Sequence, residues 1–271
     1  MPRAALVLLA IGALGLPGAA VAQAIQCSPP RQVPRPRPAQ PEPGEKGRIV
    51  PISGYTLALS WSPQYCSTAR GGGSALQCGG RNGRFGFVLH GLWPEGSGNN
   101  WPQYCRQTDL LPREVIRRNL CMTPSVQLLQ HEWAKHGTCM ASRPELYFDL
   151  ARAFYQSMRF PDMAALAKRD RLTVAQFTEA FARVNGRLRP EMIRVTTTRG
   201  NWLSEVRICM DRAMEFARCP VGQAGAKGGA YLRVEPGPAI PRQRPAPVTP
   251  ARKPGLILDL DPTAEAPREG S

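Results

Sequence analysis

Eight cysteines behind an N-terminal export signal set the tightest limit on how this chain can fold. They stand at Cys27, Cys66, Cys78, Cys105, Cys121, Cys139, Cys209 and Cys219. Ahead of them Arg3 precedes an apolar run from Ala4 to Leu16. Small residues then lead to overlapping A-x-A patterns at Ala20-Val21-Ala22 and Ala22-Gln23-Ala24. That order reads as a secretory signal peptide over residues 1–24. A membrane anchor would need a longer apolar run, and Gln26 is not the small residue that precedes a lipidated cysteine. No later stretch is long and apolar enough to span a bilayer. An even number of cysteines in an oxidising compartment predicts a disulfide framework. Metal binding fits poorly, because there is no C-x-x-C pair and only three histidines are present. Spacing alone leaves roughly a hundred connectivities open.

The ends of the chain differ in composition from its middle. Residues 25–49 carry prolines at 29, 30, 34, 36, 38, 41 and 43, interleaved with Arg31, Arg35 and Arg37. That composition predicts an extended, mobile linker with no core of its own. The segment 237–271 is similarly proline-rich and reads as a tail. Between them, residues 50–236 form the folded domain. Tyr55–Trp61 has β character, and Arg84–Leu89 is a second strand that ends directly at His90. The glycines at 71–73 and at 79–80 mark a loop flanked by Cys66 and Cys78. Helices are predicted over Pro112–Leu120, from Thr123-Pro124 through His136, over Pro144–Met158 and over Thr173–Val184. Leu203–Met210 and Glu215–Cys219 read as strands joined by a tight turn. Strands and helices segregate instead of alternating, which predicts an α+β fold. The formal charge of +15 and pI near 10.1 suit a polyanionic partner such as nucleic acid, and equally suit plain solubility.

Two short stretches hold all three histidines. HEWAKHGTC, residues 131–139, places His131 and Lys135 one helical turn apart, and Glu132 and His136 likewise. On a helix these four polar side chains spread over about 140° of surface, enough to converge on one small target. FVLHGLWPE, residues 87–95, delivers His90 on a strand, and Gly91 allows a sharp turn after it. HEWAKH is not the H-E-x-x-H zinc motif, and histidines five residues apart on a helix are poor joint ligands. Neither a G-x-S-x-G elbow nor a phosphate-binding G-x-x-x-x-G-K-[ST] loop occurs. What remains is histidine acid–base chemistry supported by a lysine and a carboxylate. Such a set suits cleavage of RNA by its own 2′-hydroxyl, which needs a base, an acid and positive charge near the transition state, and no metal. Trp93, Trp101 or Tyr104 would then stack on a base. In bland terms, Glu132 is a surface partner for Lys135, His90 is structural, and Trp61 and Trp133 are core.

FVLHGLWPE and HEWAKHGTC resemble the two active-site segments of the ribonuclease T2 family. LALSWSPQYC (57–66), EVRICMD (205–211) and FARCP extend the likeness over roughly residues 50–235. The resemblance implies an α+β fold with an antiparallel central sheet, several helices and crossing disulfides. It implies an exported endoribonuclease, periplasmic or extracellular, that cleaves single-stranded RNA through 2′,3′-cyclic phosphates to 3′-phosphates. By position, His90 becomes the general acid and His136 the general base. His131 binds the phosphate, Glu132 and Lys135 stabilise the pentacoordinate transition state, and Trp93 lines a base site. The resemblance also implies that Cys139 pairs with Cys105 in preference to Cys121. Cys66–Cys78 and Cys209–Cys219 are local bridges, and Cys27 is left for Cys121. No cofactor and no metal are expected, the partner is the RNA substrate, and the default state is a monomer. The competing expectation is a non-catalytic protein that holds RNA or another polyanion on the same fold.

Overall fold

The computed structural model describes residues 24–69, 75–98 and 100–238. All but the last residue of the expected signal peptide, nearly all of the C-terminal tail and the 71–73 glycine cluster lie outside them. In chain order the elements are β1 (Ala24–Cys27), β2 (Gly54–Trp61), α1 (Ser62–Thr68), α2 (Ala75–Cys78), β3 (Gly83–Phe85), β4 (Phe87–Glu95), α3 (Arg113–Asn119), α4 (Val126–Lys135), α5 (Pro144–Ser157), α6 (Met163–Ala167), α7 (Val174–Arg183), β5 (Ile193–Thr197) and β6 (Leu203–Asp211). Four strands form an antiparallel sheet in the order β4-β2-β6-β5, and β1 pairs separately with β3. The fold is α+β.

Side-chain alternation divides the sheet into two faces. On one face Tyr55, Leu57 and Leu59 of β2 stand opposite Pro94, Leu92 and Leu89 of β4 and Met210, Ile208 and Val206 of β6. Ile193 and Val195 of β5 extend this apolar face. Helices α5 and α7 supply Tyr147, Tyr155, Phe177 and Phe181 to the core it builds. Two phenol hydroxyls reach the β4 backbone, where Tyr155 donates to the Phe87 carbonyl and Tyr147 to that of Leu92. The opposite face is polar. Thr56, Ala58 and Ser60 of β2 are paired there with Cys209, Arg207 and Glu205 of β6.

The strand that carries His90 does not stop at it. β4 continues to Glu95, and its register against β2 jumps from Leu89 to Gly91 between Leu59 and Ala58. His90 is therefore the extra residue of a β-bulge. The bulge lets Leu89 and Leu92 both face the core while His90, Gly91 and Trp93 serve the polar face. A regular strand could not satisfy both, since a one-residue slip exchanges the faces.

Helix α4 also differs from expectation. It begins at Val126 and not at Pro124, because Ser125 is the N-cap, its hydroxyl accepting from the Leu128 N–H at 3.2 Å. His136 is the C-cap, and a 3-10 turn, Gly137–Cys139, follows. The α7 boundary follows the sequence closely: Thr173 caps it and Gln176 closes a capping box. The expected 215–219 strand is reduced to one bridge, Met210 to Phe216, held by the Cys209–Cys219 disulfide. The edge strand β5 was not anticipated.

Four disulfides join Cys27–Cys121, Cys66–Cys78, Cys105–Cys139 and Cys209–Cys219. The first changes the reading of the N-terminal segment. Where composition predicts a mobile linker, residues 24–49 lie along the domain. Val33 is buried in the main core. Arg37 exchanges hydrogen bonds with Gln127 of α4, its N–H donating to Oε1 at 2.9 Å while its carbonyl accepts from Nε2 at 3.1 Å. Arg48 and Gln103 exchange a pair of backbone hydrogen bonds of 2.7 and 2.9 Å. Proline-rich chain cannot build a core, but it can lie on one when a disulfide anchors its start and backbone ladders hold its length. Replacing Cys27 and Cys121 together with serine is expected to cost roughly 2–5 kcal/mol. It should also expose residues 28–48 to limited proteolysis. A double variant as resistant as the parent would show that the segment is held without the disulfide.

Candidate active site

The site lies where the polar face of β4 and β6 meets α4. Its centre is Glu132, a carboxylate only 2% exposed. Trp93 donates its indole N–H to Glu132 Oε2 at 2.8 Å, and His90 Nε2 stands 3.5 Å from Oε1. Gly91 makes this approach possible, since a Cβ there would collide with the Glu132 carboxylate and the Trp93 ring. Burial pushes the Glu132 carboxyl up to about 7, against the opposing pull of His90 and the Trp93 hydrogen bond.

His90 is bracketed by a second carboxylate. Its Nδ1 is hydrogen-bonded to Glu205 Oε1. The Glu205 Oε2 accepts two hydrogen bonds from Arg207, from Nε at 3.1 Å and Nη2 at 2.9 Å. Ser60 donates to Glu205 Oε1 at 3.2 Å. Burial alone would raise the Glu205 carboxyl, but the His90 hydrogen bond and the charges of His90 and Arg207 bring it down to about 2. Burial likewise works against the His90 imidazolium. The Glu205 hydrogen bond and the charges of Glu132 and Glu205 outweigh it, so His90 binds its proton more tightly than an ordinary histidine.

His136 has the opposite environment. It is 8% exposed, its ring stacks on Trp93 with centroids 5.5 Å apart, and its Nδ1 has no hydrogen-bond partner among the described residues. Burial, then the charges of Lys135, His131 and His90, hold it well below the ordinary histidine value. His131 is shifted down by the same kinds of cause, burial first and Lys135 next. Two histidines near one tryptophan are thus shifted in opposite directions, His90 towards holding its proton and His136 towards losing it.

The four polar residues of α4 do not converge on a single point. Glu132 and His136 turn towards His90 and Trp93, whereas His131 and Lys135 turn towards Tyr104 and the N-terminal segment. The Lys135 ammonium lies 2.7 Å from Glu45 Oε1 and 5.7 Å from the Tyr104 ring centroid. The His131 ring meets Tyr104 edge to face at 6.4 Å. Burial and the neighbouring Glu45 charge push the Tyr104 phenol up to about 12. Trp93 packs against the edge of His90, the ring of His136 and the Arg207 guanidinium. Much of the surface assigned to a substrate base is therefore spent inside the site. Cys105–Cys139 ties the α4 end to the chain beyond Trp101. Among the described residues no group of histidine, cysteine and acidic side chains could hold a metal ion, and no helix is long and apolar enough to cross a membrane.

Glu205, Arg207 and Glu45 were not singled out from the sequence. A signal existed for the first two, a carboxylate and a guanidinium two residues apart that alternate with apolar Val206 and Ile208 in one strand. Nothing in a proline-rich run marks Glu45.

Fold and site together define a disulfide-braced α+β protein with two histidines packed against one tryptophan beside a buried carboxylate. The ribonuclease T2 family model matches residues 53–219, and the chain belongs to that family. It is 28% identical to a probable ribonuclease of Haemophilus influenzae over 182 residues, 63% of this chain and 62% of that protein. It is 33% identical to a ribonuclease of Aeromonas hydrophila over 124 residues, 46% and 54% of the two chains. It thus spans less than two thirds of either relative. Among solved structures, RNase NT in complex with 5′-AMP superposes with a TM-score of 0.53 at 23% identity, over 69% of this chain and 100% of that one. Trichomaglin gives 0.54 at 19% identity, over 70% and 100%. At these identities the likeness is one of fold.

The raised Glu132 carboxyl has a consequence for stability. A carboxyl whose folded pKa lies above its unfolded value binds more protons when folded, so its contribution falls as pH rises from about 4.5 through about 7. Glu132→Gln removes that penalty and keeps an acceptor for Trp93. The variant is expected to be more stable than the parent at pH 8, by on the order of 1–3 kcal/mol, with little difference at pH 4.5. Thermal unfolding at the two pH values checks this, and an equal effect at both would show that Glu132 is not the titrating group.

Proposed function

We propose that the protein is an exported endoribonuclease that cleaves single-stranded RNA by transphosphorylation, without a metal cofactor. The observation that carries this reading is the packing of His90 and His136 against one tryptophan, with carboxylates beside His90 and none beside His136, which shifts their proton affinities in opposite directions. His136, neutral at working pH, takes the proton from the 2′-hydroxyl, and the 2′-oxygen attacks the adjacent phosphorus. His90, protonated, gives its proton to the departing 5′-oxygen. The products are a 2′,3′-cyclic phosphate and a free 5′-hydroxyl. In the second half the roles reverse, with water as nucleophile and a 3′-phosphate as product.

Lys135 supplies positive charge to the phosphate, His131 binds it through a ring N–H, and Glu132 bears on the pentacoordinate transition state across the short gap to His90. Glu205 acts as a positioning residue. By holding His90 Nδ1 it leaves Nε2 for the leaving oxygen and keeps the imidazolium charged, while Arg207 keeps Glu205 ionised. The four disulfides, the expected signal peptide and the likeness to ribonucleases support export to the periplasm or beyond, where the protein would act as a monomer.

His90→Ala and His136→Ala are each expected to lower kcat on RNA by about 10²-fold or more with the fold intact. RNA carrying 2′-O-methyl groups should resist cleavage by the parent enzyme, and EDTA should leave the rate on unmodified RNA unchanged. Product termini read by mass spectrometry decide the chemistry, and 5′-phosphate products would overturn it.

The pH–rate profile follows from the same shifts. Activity should rise with pH as His136 loses its proton, at a pH well below 6.5, and fall where His90 loses its own, above 6.5. Glu205→Gln keeps the shape of the side chain and removes its charge. It is therefore expected to move the alkaline limb to lower pH while the acid limb stays near its place. A variant that lowers the rate evenly at all pH values would mark Glu205 as structural only.

A further inference from the structure

The lysine assigned to the substrate phosphate already has an anion against it. Glu45 Oε1 lies 2.7 Å from Lys135 Nζ, and both side chains are about four-fifths buried. The Glu45 carboxylate is held from behind, because the Glu42 N–H donates to its Oε2 at 3.3 Å. A turn closed by the Glu45 N–H donating to the Glu42 carbonyl at 2.8 Å sets this geometry. Pro43 and Gly44, the latter at φ +88°, stand at its centre, the pair that a type II turn favours.

The turn is fastened to the site on its far side. Gln103 donates from Nε2 to the Lys46 carbonyl at 2.9 Å, and Arg48 and Gln103 exchange two backbone hydrogen bonds. The Tyr104 N–H donates to the Lys135 carbonyl at 2.8 Å. The carboxylate is thus pinned to the end of α4 from both directions. It also lies outside residues 53–219, the part that the family model matches.

We propose that Glu45 is a specificity-determining residue, an internal competitor for Lys135 that makes the enzyme discriminate against dinucleotide-sized substrates in favour of long RNA. The proposal rests on the reading of Lys135 as a phosphate contact. A lysine ammonium is a compact point charge, and a carboxylate and a phosphodiester make the same demand on it. A dinucleoside monophosphate brings one phosphate and must displace Glu45 with that contact alone. A long strand brings many phosphates to a chain of formal charge +15. Its other contacts are already made when the scissile phosphate meets Lys135, so displacement becomes an intramolecular step at high effective concentration. A strand held in this way is cleaved faster than it dissociates, so its kcat/KM is set by encounter and does not carry the displacement cost, whereas a dinucleotide that dissociates freely carries that cost in full.

The test is Glu45→Gln in the full chain, assayed on a mixture of dinucleoside monophosphates and on long yeast RNA. Inorganic phosphate binding, followed by tyrosine and tryptophan fluorescence, is the readout that does not need turnover. The variant is expected to raise kcat/KM on the dinucleotides by about tenfold, the effect of one competing charged contact. On long RNA it should change kcat/KM by about twofold or less, and it should bind inorganic phosphate more tightly. Equal gains on both substrates would overturn the length discrimination. A loss on both would show that Glu45 organises Lys135 and does not compete for it. Unchanged phosphate binding and rates, in a parent that cleaves RNA, would overturn the proposal and leave the ribonuclease reading standing. Tighter phosphate binding in a parent that does not cleave RNA would leave the competition at Lys135 standing and overturn both that reading and the length discrimination built on it. Unfolding temperatures of parent and variant, measured alongside, keep a fold defect from passing as any of these.

Discussion

A carboxylate placed in a nearly dry slot ties the two halves of this site together. Glu132 comes from α4, while the indole that donates to it and the histidine beside it come from β4. The slot exists because Gly91 has no side chain, and it faces the right way because the bulge at His90 shifts the strand by one residue. Without the bulge, Leu92 would leave the core or Trp93 would leave the site. The local backbone irregularity is therefore what allows one strand to serve a hydrophobic core and a polar cleft together.

From that arrangement the electrostatics follow. Carboxylates flank His90 on both ring nitrogens, whereas His136 meets a tryptophan face, the Lys135 ammonium and the other two imidazoles. Burial disfavours the charged form of both histidines, and only His90 has anions close enough to reverse it. The carboxylates divide in the same manner. Glu205, with Arg207 and His90 as partners, stays ionised. Glu132, more deeply buried and facing only one cation at short range, is pushed towards neutrality. Two like residues thus acquire different working states from their neighbours alone.

Disulfides and the N-terminal segment set the outer boundary of the cleft. Cys105–Cys139 fixes the α4 end to the chain that carries Tyr104, and Cys27–Cys121 starts a strap that runs past α4 to Glu45. The strap has little apolar surface to bury beyond Val33 and Pro36. It is held by backbone hydrogen bonds and by side chains such as Gln127 and Gln103. Composition misjudged it for that reason: proline content reports that a segment cannot form a core, and says nothing about whether it can lie on one.

Sequence by itself determined the α+β class, most of the main strands and helices, and the two stretches that hold His90, Glu132, Lys135 and His136. Those features depend on periodicity, capping and residue type within a few positions, as with Thr173 and Gln176 at α7. Tertiary structure alone decided that His90 sits in a bulge and that Trp93 is packed between the histidines. It alone brought Glu205 to His90, 115 residues apart in the chain, and Glu45 to Lys135. These are contacts across strands and across a strap, and their partners carry no local pattern that names them. The proton preference of each histidine belongs to the same class, because it is set by which charges the fold brings within a few ångströms.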